Sequence, residues 1–259
     1  FLGIIPSMFF LPLFDDNPTK SFPYVTRALI FLNVFIYFFQ LTLSDNQLNN
    51  FYTSFGFIPN DFFNLQTYFY LPALTSLFIH GGFMHLASNM LYLWIFGDNI
   101  EDKLGTAKFI FFYLVGGFAA SYFQAIFEPT SAIPLIGASG SIAAVLGAYL
   151  LMFPKANIRV LFWFFIFLQI INVPAFLVLG VWIVGQFFSL GSMVESNVAY
   201  VAHIGGFFSG ILLFLILKNK EIAIFSDSKS RPFESTNIQE AYSSRLYDRK
   251  RSSGIKKYD

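Results

Sequence analysis

Three histidines, a serine set between small residues and one asparagine are the side chains whose types and spacing suit nucleophilic chemistry in this sequence. His80, His85 and Asn89 fall in HGGFMHLASN, Ser139 in the tetrad Gly137-Ala138-Ser139-Gly140, and His203 in AHIGG. Each borders or enters a long apolar stretch, where a polar or charge-capable side chain is costly to hold and marks a functional site by default. A serine hydroxyl becomes a competent nucleophile when an imidazole takes its proton, so Ser139 and His203 are a candidate catalytic pair. Charge that develops on a substrate oxygen then needs donors aimed at it. The Asn89 amide, the His85 ring and the Ser139 main-chain N–H, near the start of its helix, are the candidates for that oxyanion hole. The i, i+4 spacing of His85 and Asn89 puts both on one helix face.

What must position these groups is a membrane domain. The 259 residues are 56% hydrophobic and 12% charged, far below the charged quarter of ordinary soluble domains. With no cysteine, disulfides, thiolate catalysis and cysteine metal sites are excluded. The 16 Lys and Arg cluster at Lys20 and Arg27, at Lys103 and Lys108, at Lys155 and Arg159, and in the tail at 218–257. Between them, 28–102, 109–154 and 160–217 carry no Lys or Arg, and each is long enough for two crossings of roughly 20 residues. The positive-inside rule puts both termini and the basic loops in the cytoplasm.

The expected fold is an all-α, polytopic six-transmembrane-helix bundle. Its spans are 24–43, 83–99, 108–127, 135–153, 174–190 and 198–217. Residues 1–23 form an N-terminal cytoplasmic lead-in, 24–217 the membrane domain and 218–259 a basic, disordered cytoplasmic tail. The apolar segment 158–172 is expected to lie along the cytoplasmic interface or to lead at a tilt into the fifth span. In this topology the even-numbered spans run inward, so His85, Asn89, Ser139 and His203 share the outer leaflet. Small residues allow the fourth and sixth spans to approach: Gly140 and Ala144 on one, Gly206 and Gly210 on the other. No Asp or Glu falls in the outer halves of the spans, Glu128 and Glu195 belonging to outer loops. A serine hydrolase here runs on a Ser/His dyad rather than a triad.

From Thr75 to Leu217 the chain resembles a rhomboid intramembrane serine protease, through HGGFMHLASN, WIFGDNIEDKLG, GASGSIAAVLGAY and AHIGGFFSG in that order. The resemblance implies Ser139 as nucleophile, His203 as its base, and Asn89, His85 and the Ser139 N–H as oxyanion hole. It further implies a wet cavity opening outward, substrate entry past the fifth span, and Glu101 as a structural brace at the cytoplasmic end. Two departures stand out. The first outer loop lacks a Trp-Arg pair, and Ala143 stands where some members have a tyrosine one turn after the nucleophile, leaving the His203 ring without its usual support. Expected partners are the lipid bilayer and single-span or multi-span membrane proteins as substrates, with no nucleic acid, cofactor or metal. The expected setting is a bacterial inner membrane with the site facing outward.

Three alternatives compete. A catalytically silent relative, like inactive rhomboids or derlins, would bind membrane proteins without needing Ser139 and His203 together. A proton-coupled transporter would use His85, Asn89 and His203 as a relay, but no inverted repeat or intramembrane acid accompanies them. A zinc site on the three histidines would need well-spaced ligands, and His80 lies in a loop. The stretch from Gly137 to Ser141 does not have the G-x-S-x-G form of soluble lipases.

Overall fold

A computed structural model of the protein describes residues 9–64, 70–164, 167–191, 198–226, 232–233 and 235–236. Six long helices form the body: α1 (Tyr24–Gln40), α5 (Phe83–Leu104), α6 (Thr106–Phe127), α7 (Ser139–Met152), α8 (Ala175–Gly191) and α9 (Tyr200–Leu217). By length and composition, Thr106–Phe127 and Tyr200–Leu217 are long and apolar enough to cross a membrane, and Tyr24–Gln40, Ser139–Met152 and Ala175–Leu190 are shorter apolar helices. Helix α7 is apolar all round and buried without interruption from Gly140 to Tyr149, as befits a central helix with protein on every side. The outward faces stay apolar, with Phe31, Phe35 and Phe38 on α1 and Val181 and Phe188 on α8 exposed. Such a surface suits hydrocarbon rather than water.

Small residues bring α9 against its neighbours. A Cβ at Gly205 would lie 2.5 Å from Phe123 of α6, and one at Gly206 would strike the Gly140 carbonyl oxygen while sitting 3.2 Å from the Cβ atoms of Ala120 and Ala143. Gly210 meets the Ala144 backbone in the same way. The side of Gly140 itself faces α6, where an added Cβ would lie 2.6 Å from the Ala120 Cβ.

The segment 158–172 does not lead into the fifth span as a helix. It is most of an antiparallel hairpin, β2 (Asn157–Phe164) and β3 (Phe167–Pro174), paired from Asn157↔Pro174 to Phe164↔Phe167. A run this short cannot cross a bilayer, and its β-branched and aromatic residues favour a pleated ribbon. The lead-in supplies β1 (Phe9–Asp15) on the far side of β2, with an irregularity between Pro12 and Phe14. That irregularity and its edge position accommodate a residue with no N–H to donate. A fourth strand, β4 (Ser235–Thr236), pairs with β3.

Part of the segment expected to be a disordered tail lies within the described residues, and it bonds to the bundle. The Phe225 and Ser226 N–H groups donate to the Leu151 and Met152 carbonyls at 3.2 and 2.8 Å, and Phe233 N–H donates to Asn172 at 2.7 Å. The last carbonyls of α7 have no partner within their own helix, so the tail supplies one. The basic tail from 237 onward, and Glu195, lie outside the described residues.

At this end of the bundle α5 holds the entry to α1. Glu101 is buried and accepts from Val25 N–H at 2.9 Å, Thr26 N–H at 2.8 Å and the Thr26 hydroxyl at 2.7 Å. The neighbouring Asp102 accepts from Lys20 N–H, Ser21 N–H and the Ser21 hydroxyl at 2.9, 2.8 and 2.7 Å. Glu101 thus answers free N–H groups at the α1 N-terminus with a negative charge, which the helix dipole favours. Asp15 accepts from the Tyr149 hydroxyl at 2.6 Å and the Asn99 amide at 2.9 Å, tying β1 to α7 and α5. Replacing Glu101 with Ala strands buried donors and should destabilise by about 3 kcal/mol, lowering the thermal midpoint in detergent by roughly 5–10 °C. Glu101→Gln, which keeps an acceptor, should lose less.

Candidate active site

The connection between α1 and α5 carries α2 (Asp45–Phe55), α3 (Pro59–Phe63), α4 (Tyr70–Thr75) and a 3₁₀ turn, Ser76–Phe78. It grips the chain just ahead of Ser139. Phe57 and Leu135 exchange backbone hydrogen bonds at 3.0 and 2.8 Å, and Gly137 N–H donates to the Ser76 carbonyl at 2.9 Å. Residues 135–137 are therefore not helical, and the fourth long helix begins four residues later than the sequence predicts. The cause is Gly137, whose φ of +124° has no place in a right-handed helix and is open to glycine alone without strain. Ser139 becomes the first residue of α7. The first bond of that helix runs from Ile142 N–H to the Ala138 carbonyl at 2.9 Å, so the N–H groups of Ser139, Gly140 and Ser141 stand outside its ladder.

Gly137 also marks where the groups converge. A Cβ there would lie 2.7 Å from His85 Nε2 and 3.7 Å from Ser139 Oγ. The imidazole and the hydroxyl thus border one small space. His85 Nδ1 accepts a long 3.4 Å hydrogen bond from Gly81 N–H, so in the neutral ring the proton resides on Nε2, the nitrogen facing Gly137. One turn along α5, Asn89 is buried, and its Nδ2 has no acceptor among the described residues. A buried amide donor left unpaired costs stability, and the place is explained if a substrate oxygen takes the bond.

His80 is a support rather than a member of the group. Its backbone N–H donates to the Gln40 side-chain oxygen at 3.1 Å, and its carbonyl accepts from the Gln40 amide at 2.8 Å. Complete burial, and secondarily the His85 ring beside it, push its pKa down to about 3. It stays neutral and packs edge-on against His85 with centroids 5.0 Å apart.

His203 lies in the first turn of α9, one turn ahead of Gly206. Its Nδ1 is 2.8 Å from Gln186 Oε1 on α8, and the Trp182 indole lies tilted over its ring at 5.8 Å. Neither residue was expected from the sequence. A glutamine in an apolar helix four residues after a tryptophan was the available signal. Ala143 is fully buried against the Gly206 position, leaving no room for a tyrosine, so the ring is supported from α8 instead. Among the described residues, however, the Ser139 hydroxyl makes no hydrogen bond to His203. Such contacts often tighten only when substrate binds.

Similarity to known proteins places the chain in a family. The family model described as Rhomboid domain matches residues 69–220, more than half of the chain. The chain belongs to the rhomboid family. It is 33% identical over 156 residues to the mitochondrial rhomboid protein 1 of Saccharomyces cerevisiae, covering 55% of this chain and 40% of that protein. It is 32% identical over 154 residues to the putative rhomboid protease YdcA of Bacillus subtilis, covering 57% of this chain and 68% of the relative. Against the B. subtilis rhomboid protease GluP the identity is 33% over 138 residues, which is 24% of that protein. The chain thus spans less than half of the yeast protein and a quarter of GluP. As a rhomboid, it is an integral membrane protein.

Gly137→Ala would push a methyl group into the His85 ring and strain the backbone. The variant should lose about 1–3 kcal/mol of stability, measured as a lower thermal midpoint in detergent.

Proposed function

We propose that this rhomboid is an intramembrane serine endopeptidase that hydrolyses a peptide bond near the outer end of transmembrane helices in other membrane proteins. The observation that carries this is the meeting of Ser139 Oγ and His85 Nε2–H around Gly137, one turn above the unpaired Asn89 donor. Ser139 is the nucleophile and His203 the base that takes its proton, then returns it to the leaving amine. Asn89 Nδ2–H, His85 Nε2–H and Ser139 N–H stabilise the oxyanion. The close packing of α9 on α7 through Gly206 and Gly210 supports the approach of His203 to Ser139.

In the proposed topology α1, α5, α6, α7, α8 and α9 are the six spans. The end bearing Arg159 and Lys103 faces the cytoplasm, and the end bearing His80 and Ser139 faces out, as the distribution of basic residues favours. The proposed setting is a bacterial inner membrane. Helical substrate backbone is internally hydrogen-bonded, so susceptible segments should carry Gly, Pro or polar residues that loosen the helix, with small side chains at the cut.

Ser139→Ala and His203→Ala should each abolish cleavage in reconstituted vesicles, and Ser139→Ala should also abolish covalent labelling by a serine-directed phosphonate. Cleavage surviving in either variant would overturn the dyad. A wild-type protein that binds substrate without cutting it or being labelled would be a silent relative. Asn89→Ala should lower kcat by about 10²–10³-fold with little change in KM.

The base must be neutral to accept the serine proton. Turnover should therefore be full above the His203 pKa and fall tenfold per pH unit below it. A rate that holds steady across the acidic range would argue against an imidazole base.

A further inference from the structure

We infer that Gln186 of α8 is a positioning residue that fixes the tautomer and orientation of His203, so that the base is assembled only while α8 is docked against α9. This rests on the Ser139–His203 dyad proposed above. Gln186 has two hydrogen bonds, and they determine each other. Its Nε2 donates to the Trp182 carbonyl one turn back at 3.2 Å. Its Oε1 is therefore the atom 2.8 Å from His203 Nδ1. With the amide reversed, its oxygen would face the Trp182 carbonyl oxygen, acceptor against acceptor, so that orientation is disfavoured. An oxygen opposite Nδ1 requires the proton to be on Nδ1, which leaves the Nε2 lone pair free to receive the serine proton.

An amide oxygen can fill this role, as in hydrolytic triads whose third member is Asn. The Trp182 indole, 5.8 Å from the imidazole and 6.2 Å from Phe207, completes the support from the same helix. Ala143, one turn after Ser139, carries no polar or aromatic group that could support the ring from α7. Gln124 of α6 is already engaged with Ala202 N–H at 3.0 Å. Among the described residues, the titratable group that couples to the His203 ring is His85 of α5. Glu128, beyond the end of α6, is exposed, and α7, α8 and α9 contribute no carboxylate or ammonium within their helical spans.

The test is the pH profile of kcat and KM for a transmembrane substrate in vesicles, with wild type, Gln186→Met and Gln186→Glu. Gln186→Met keeps the bulk and removes the acceptor, and should lower kcat about 10²-fold while leaving KM within about twofold. Gln186→Glu restores an acceptor and adds a negative charge beside Nδ1–H. That charge favours the imidazolium, so the acidic limb of kcat should move up by roughly one to three pH units, with the rate on the plateau largely recovered. A Met variant with wild-type kcat, or a Glu variant with an unmoved acidic limb, overturns the inference. If the Met variant does not fold, the Glu limb decides alone. Failure of the dyad itself would show differently, as cleavage persisting in Ser139→Ala or His203→Ala.

Discussion

The structure depends on how closely three helices can approach without side chains between them. At Gly205, Gly206 and Gly210, α9 presents bare backbone to α6 and α7, and at Gly147 α7 does the same to the Phe207 carbonyl. In hydrocarbon there is no hydrophobic gain from bringing apolar helices together, so attraction comes from dispersion across tight contacts and from backbone approach. A single Cβ at Gly206 would collide with the Gly140 carbonyl. The lateral position of His203, three residues earlier on the same helix, is therefore set by where glycine allows contact. The chemistry proposed for His203 and Ser139 is in this sense a by-product of packing geometry.

The two ends of the bundle handle polar groups in opposite ways. At the Glu101 end, the carboxylates that hold the α1 entry and β1 are bonded to donors: Glu101 to three, Asp102 to four, Asp15 to Tyr149 and Asn99. Bonded charges of this kind rigidify. At the Ser139 end, Asn89 Nδ2 is buried without an acceptor, and the N–H groups opening α7 stand outside the helical ladder. The stability forgone there is supplied elsewhere in the fold, a division expected when one end is structural and the other meets a ligand.

Much of this was legible in the sequence because the lipid environment is a strict filter. Apolar stretches bounded by basic clusters located the six long helices, most ends falling within three residues. His85, Asn89 and Ser139 stood out because polar groups are rare in such stretches. The hairpin at 157–174 was not legible, since a short apolar run has the same composition whether it lies on a membrane or pairs as a ribbon, and its partner strand β1 lies more than 140 residues earlier in sequence. The support of His203 was hidden for a related reason. Gln186 is a lone amide on an apolar helix, marked only by a tryptophan one turn earlier, and its role exists only through contact with α9. The late start of α7 turned on one dihedral, at Gly137, which periodicity cannot report.

That late start is what makes a site possible at all. A serine inside a continuous helix has its N–H bonded to the preceding turn and its hydroxyl able to bond the same backbone. At the first residue of α7, Ser139 is free of both constraints. Non-helical backbone at membrane depth is tolerated only where protein satisfies its polar groups. Here the long α1–α5 connection does so, through Phe57 for Leu135 and Ser76 for Gly137. Gln40, at the end of α1, bonds the His80 backbone in the same connection and so holds the ring that buttresses His85. Helices of the core bring the proposed dyad to one end of the bundle, but it is the loop around α2, α3 and α4, bonded to 135–137, together with the positive φ of Gly137, that keeps the chain before Ser139 out of the helix.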